Sequence, residues 1–158
     1  MRYKINKKKL ESAKIRWKMF LWALLFIAID RVTKALFFDK EFCAVIFCIK
    51  PALNTGGLFG LLTGATLPLI ITAAAIIILS IFMLTAHEFK VSRLMQFSIV
   101  MIVAGTVSNM FDRIFYGYVM DWLRIPIFTN PSSFNFADIV ATVGVIILIS
   151  KLWYPDKK

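Results

Sequence analysis

From Pro51 to Ala86 the chain carries no charged residue, and its second part, Leu67 to Ala86, is long enough to cross a lipid bilayer as a helix of about 20 residues. A second uncharged run, Leu94 to Phe111, approaches the same length and is bracketed by Lys90 and Arg93 before it and by Asp112 and Arg113 after it. Two further apolar segments, Met19 to Phe38 and Phe134 to Trp153, are interrupted by Asp30, Arg31 and Lys34 in one and by Asp138 in the other. Ionised groups at membrane depth are energetically costly, so each is expected to have a partner or a task.

Four such segments in 158 residues leave too little polar surface to cover them in water; the chain is 59% hydrophobic, 18% charged and has a mean hydropathy of +0.77. The pattern predicts an all-α membrane protein of four transmembrane helices, in one domain over 1–158. The spans fall at about 19–38, 67–86, 94–113 and 134–153, behind a basic cytoplasmic leader, 1–18. Asp39 to Leu53 alternates loosely and is rich in Phe, Val, Ile and Cys, which predicts short strands. Asn54 to Gly64 holds Gly56, Gly57, Gly60 and Gly64 and predicts a loop or re-entrant turn. Ile114 to Ser133, with Gly117, Pro126, Asn130 and Pro131, is expected to be mostly irregular.

Short loops rich in lysine and arginine stay in the cytoplasm. Eight of the 19 basic residues precede the first span, Lys90 and Arg93 lie between the second and third, and Lys151, Lys157 and Lys158 follow the fourth. Both termini and the middle loop are therefore expected in the cytoplasm, and the other two loops outside. The net charge of +10 is concentrated in the membrane-flanking leader, so it reads as topology and contact with anionic membrane lipids, and no nucleic-acid partner is expected. The leader and the run after Met19 mimic a cleavable signal, but Asp30 and Arg31 stand where small residues should precede a cleavage site. Cys43 and Cys48 lie in the first outer loop; a local disulfide is open to them, although two buried thiols in a short β segment is the favoured expectation. With these two cysteines and the one histidine, His87, no zinc site is expected, and His87 reads as a solvated loop residue.

The polar residues converge. Asp30, Thr33 and Lys34 share one face of the first span, Asn109, Asp112 and Arg113 share one face at the end of the third, and Asn135 and Asp138 share one at the start of the fourth. All sit at one depth, near the outer surface, and Asp121 lies in the loop between the last two. Pairing of Asp30 with Lys34, and of Asp112 with Arg113 or Arg31, gives those four a structural role. Asp121 and Asp138 are then left without a dedicated cation unless Arg124 turns back. Two carboxylates close together share a proton and suit general acid and base work, though proton-coupled carriers also keep lone carboxylates in membranes.

Five segments in order resemble those of the lipoprotein signal peptidase (signal peptidase II) family: DRVTK from Asp30, NTGGLF from Asn54, GTVSNMFDR from Gly105, GYVMDW from Gly117 and FNFAD from Phe134. The chain departs from the family at Gly57 and Leu58, where two alanines are usual, and in its long basic leader. The resemblance implies that Asp121 and Asp138 are a catalytic dyad. Asp30, Lys34, Asn54, Gly56, Asn109, Asp112, Arg113, Asn135 and Ala137 would support the dyad and the substrate backbone. It also implies a small extracytoplasmic β cradle, and removal of the signal peptide from diacylglyceryl-modified prolipoproteins on the amino side of the lipidated cysteine. No metal or organic cofactor is expected, and the protein is expected to be a monomer in the bacterial inner membrane with its active site near the outer leaflet. The rival readings are a proton-coupled carrier and a non-enzymatic lipid-binding assembly factor.

The lysine and arginine asymmetry makes a direct prediction. Reporter fusions after Lys158 and at Lys90 should report cytoplasm, and fusions near Lys40 and Thr129 the outside. An odd number of crossings would place the polar clusters at different depths and dissolve the site.

Overall fold

In the computed structural model, residues 7–57, 63–85, 91–126 and 133–154 are described. The order is α1 (Lys7–Leu36), β1 (Phe42–Cys43), β2 (Cys48–Asn54), α2 (Thr66–Thr85), α3 (Arg93–Tyr116), β3 (Val119–Arg124), β4 (Ser133–Phe134) and α4 (Phe136–Trp153). By length and apolarity α2, α3 and α4 are membrane-capable, and only 11% of the α2 span is buried against the rest of the protein. Its Leu67, Ile71, Ile78 and Leu79 are each at least 60% exposed, a surface suited to lipid rather than water. Charges in its last turns keep α1 outside that apolar class, yet its 30 residues reach about 45 Å, as long as a bilayer with its headgroups.

α3 is the central helix, packed against α1, α2 and α4. Its contact with α4 is close because of glycine: a Cβ on Gly144 would lie 2.8 Å from the Ser98 carbonyl oxygen, and one on Gly105 would collide with the Ala137 carbonyl. The helix starts at the cap Ser92, whose side chain accepts from the Met95 amide, and stops at Gly117, whose φ of 78° a residue with a Cβ rarely adopts.

The four strands form one antiparallel sheet in the order β1-β2-β3-β4. Asn54 pairs with Val119 and Ala52 with Asp121, with a register irregularity between Ile49 and Ala52, where Pro51 has no N–H to give to the ladder. Ile49, Met120 and Trp122 form the sheet's core, with Phe37 from just beyond α1 and Phe136 from the first turn of α4 packed against it. The sheet thus sits on one end of the helix bundle, its position fixed by aromatic rings at the helix ends.

Several expectations need correction. α1 begins at Lys7, inside the stretch assigned to the leader, and α4 begins at Phe136 because Ser133 and Phe134 pair with β3. The strands expected within 39–53 are present, but the segment 114–133, expected to be irregular, holds β3. Val119 to Trp122 are buried in succession, so the strand lacks the alternation by which a half-exposed strand is recognised. Cys43 and Cys48 are joined in a disulfide rather than left as thiols, because the β1–β2 register sets them directly opposite each other. In the glycine-rich segment, residues 58–62 lie outside the described residues, as do His87 and the Leu58 departure.

Candidate active site

The sheet end of the bundle holds two polar layers. In the first, Lys34 Nζ lies 2.8 Å from Asp30 Oδ2 and 2.7 Å from Asp112 Oδ2, joining α1 to α3. Arg31 pairs with the same two carboxylates and donates to the Ser108 hydroxyl at 3.0 Å, while that hydroxyl donates to Asp30 Oδ2 at 2.6 Å. The other oxygen of Asp30 accepts from the Ala137 amide at 3.0 Å, so one carboxylate ties α1 to both α3 and the start of α4. Asp30 is fully buried and Asp112 nearly so; the cluster is two acids against two bases, each charge compensated.

The second layer is built from asparagines. Asn135 caps α4 in a capping box: its side chain accepts from the Asp138 amide, and Asp138 Oδ2 accepts from the Asn135 amide at 3.1 Å. The cap orients the Asn135 amide group so that Nδ2 donates to Asp121 Oδ1 at 2.7 Å and to Asn109 Oδ1 at 3.1 Å. Asn109 in turn accepts from Lys34 Nζ at 3.0 Å and donates to Asp138 Oδ1 at 2.7 Å. Asn54, the last residue of β2, donates to Asp121 Oδ2 at 2.9 Å and is braced by the Gly56 amide on its own carbonyl oxygen. Arg113 donates to the Gly56 carbonyl at 2.8 Å and stands within the field of Asp138, Asp121 and Asp112.

Asp121 and Asp138 thus accept hydrogen bonds from neutral amides, and no cation is in salt-bridge contact with either among the described residues. Burial, and then the neighbouring charge of Asp138, push Asp121 from its ordinary 3.8 up to about 7. The folded state therefore holds a proton that the unfolded chain releases, so this group's contribution to stability falls as pH rises from 3.8 to about 7. Both acids line a cleft of about 470 Å³ between α2, α3 and α4. Asn54, Asn109 and Arg113 complete its polar end, and Leu69, Ala73, Ile76, Ile102, Val145 and Ile146 line its apolar remainder.

All eleven residues singled out from the sequence are drawn together here, Gly56 and Ala137 through their backbone. Thr33 stays apart, its hydroxyl donating to the Asp30 carbonyl within α1. Asp112 pairs with Arg31 and Lys34, not with Arg113, whose side chain reaches the glycine-rich segment instead; Arg124 turns to Ser133, not to Asp121. Ser108 was missed, although its spacing from Gly105 and Asp112 puts it on the same face of α3, and Arg31 was read only as a possible partner for Asp112.

Three helices of membrane-spanning length, with two acids at the polar end of an apolar cleft between them, describe a membrane protein with a carboxylate site. The family model for signal peptidase (SPase) II matches residues 22–154. A lipoprotein signal peptidase of Desulfitobacterium hafniense (strain DSM 10664 / DCB-2) is 37% identical over 152 residues, covering 89% of this chain and 97% of that protein. One of Chlamydia felis (strain Fe/C-56) is 30% identical over 149 residues, covering 84% and 90%. Two solved structures of a bacterial membrane enzyme, at 2.3 and 1.9 Å resolution, superpose with TM-scores of 0.75 and 0.76 at 25% and 26% identity. They cover 89% and 88% of this chain, and 93% and 94% of theirs is covered. The chain belongs to the signal peptidase II family, and so is a protease.

The different roles of Asp112 and Arg113 are separable by melting curves in detergent. Asp112→Ala leaves Arg31 and Lys34 short of an acid at a cost of about 3–5 kcal/mol and should lower the Tm clearly. Arg113→Ala, which breaks no salt bridge, should lower it much less. Equal melting of the two variants would show that the ion cluster does not hold the bundle.

Proposed function

We propose that this chain is an intramembrane aspartic endopeptidase of the bacterial inner membrane. It removes signal peptides from diacylglyceryl-modified prolipoproteins, cutting on the amino side of the lipidated cysteine. In this reading α1 is a fourth crossing, both termini are cytoplasmic, and the sheet lies at the outer surface. The observation that carries it is the pair Asp121, buried, and Asp138, half-buried, both lining the polar end of the apolar cleft and held by amides rather than cations.

Each amide hydrogen bond fixes a carboxyl group without neutralising it, so the pair keeps one proton between them at neutral pH. The ionised member takes a proton from a water molecule in the cleft as the water oxygen bonds to the scissile carbonyl carbon. The protonated member donates to the carbonyl oxygen as that oxygen gains charge. Collapse of the tetrahedral intermediate breaks the C–N bond and passes a proton to the leaving nitrogen, so water is the only reagent consumed. Lys34 acts through Asn109 as a positioning residue for Asp138, and Asn135 sets both acids at once. The apolar walls suit the hydrophobic part of a signal peptide or the acyl chains of the lipidated cysteine, which arrive laterally within the membrane.

Asn is nearly isosteric with Asp but cannot take up or release a proton in this range. Asp121→Asn and Asp138→Asn should each reduce single-turnover cleavage of a lipidated peptide by about 100-fold or more. Melting temperatures should hold or rise, since neutralising one buried acid removes repulsion. A variant that cleaves at close to the wild-type rate would show that its aspartate is not an acid or base in the reaction.

A further inference from the structure

The hairpin between β1 and β2 has no part in the cleft, yet it carries Val45, the most exposed large apolar side chain among the described residues. Val45 is 92% exposed and Ile46 68%, with Phe42 at 52% and Phe38 at 60% beside them. From Phe42 to Ile46 no residue is polar or charged. The turn is tight, the Ala44 amide donating to the Phe47 carbonyl at 2.8 Å, and the Cys43–Cys48 disulfide closes it at its base. A rigid loop displaying its aliphatic side chains outward would be poorly placed in water.

Its depth is set by its neighbour. Phe47, one residue past the tip, packs on the sheet core with Phe37 and Phe136, which mark the ends of α1 and α4. Val45 and Ile46 therefore lie close to the plane in which the helices leave the bilayer. The charged residues around the hairpin base, Asp39, Lys40, Glu41 and Lys50, are all exposed and sum to zero, so attraction to charged headgroups cannot be what holds it. Apolar burial is left as the force.

We propose that the disulfide-closed tip, Cys43 to Cys48, is a lipid anchor that inserts Val45 and Ile46 into the boundary between headgroups and acyl chains of the outer leaflet, about 5–10 Å deep. The proposal rests on the reading that the helices cross the membrane with the sheet at its outer surface. The occupant is the lipid itself and not the substrate, since the cleft with the acids opens between α2, α3 and α4, on residues that do not include the hairpin. β2 continues from the anchor to Asn54, so a tip held in lipid also steadies the strand that fixes Asp121.

The test places a fluorescent non-natural amino acid at Val45, and separately at Ile78 on the exposed face of α2, in the full chain. Each is reconstituted in phosphatidylcholine nanodiscs with or without bromine on the upper acyl carbons. Quenching at Val45 within about twofold of that at Ile78 is the expected result, since an interfacial loop and a span then contact the same chains. Quenching at Ile78 with a water-like, unquenched probe at Val45 would overturn the anchor and leave the membrane reading intact. A probe at Val45 that is shielded from water but not quenched by brominated lipid would mean that protein covers the tip, which also overturns the anchor. No quenching at either site would remove the membrane reading itself, and the anchor with it.

Discussion

Two carboxylates and two cations meet where α1 crosses α3, and the rest of the site is assembled on them. Asp30, Arg31, Lys34 and Asp112 are charges drawn in between apolar helices, so each must find its counter-ion within the protein or bear a desolvation penalty of several kcal/mol. Meeting that requirement fixes the rotation and height of α1 against α3. Through the Ala137 amide Asp30 also fixes the first turn of α4, and through Asn109 Lys34 reaches Asp138. The capping box of α4 then turns Asn135 toward Asp121, and the last residue of β2 meets Asp121 from the other side.

The protein treats its two pairs of acids in opposite ways. Asp30 and Asp112 are surrounded by cations and accept the hydrogen bonds of a structural salt-bridge cluster. Asp121 and Asp138, one layer away, accept from amides, which orient a carboxyl group without pairing it with a charge; at Asp121, burial and then the charge of Asp138 outweigh the lowering effect of the Asn54 and Asn135 hydrogen bonds and of Lys34. Asp121 accordingly rises to about 7, within reach of neutral pH. Separating carboxyl groups by environment in this way is how one fold supports both structure and proton transfer. Asparagine is suited to the task because it offers a donor and an acceptor with no charge: Asn109 and Asn135 each use both.

Much of this was legible in the sequence because membranes make polar residues conspicuous. Asp30, Lys34, Asn109, Asp112, Asn135 and Asp138 interrupt apolar runs at helical spacing, and that alone predicts that they face inward together. Ser108 escaped because a serine in such a run raises little cost, although its spacing from Asp112 puts it on the same face and its hydroxyl orders Asp30. β3 escaped because a strand buried on both faces loses its alternation, and the flanking Gly117 and Pro126 suggested irregular chain. Of the two partners left open for Asp112, Arg31 is the one it takes, because adjacency in sequence puts Asp112 and Arg113 about 100° apart on a helix, so they face different neighbours. The disulfide depended on hairpin register, which the two-residue strand β1 is too short to announce.

The proposed chemistry requires the two acids in the cleft to hold a single proton near neutral pH, with Asp121 the group that brings the pair into that range. Infrared difference spectroscopy on the reconstituted protein reads it directly, as the C=O stretch of a protonated carboxyl group followed against pH. A band that is lost as pH rises through about 7 and that is missing from Asp121→Asn is the expected result. A wild-type protein with no such band below that pH, or a band that persists unchanged in Asp121→Asn, would contradict it.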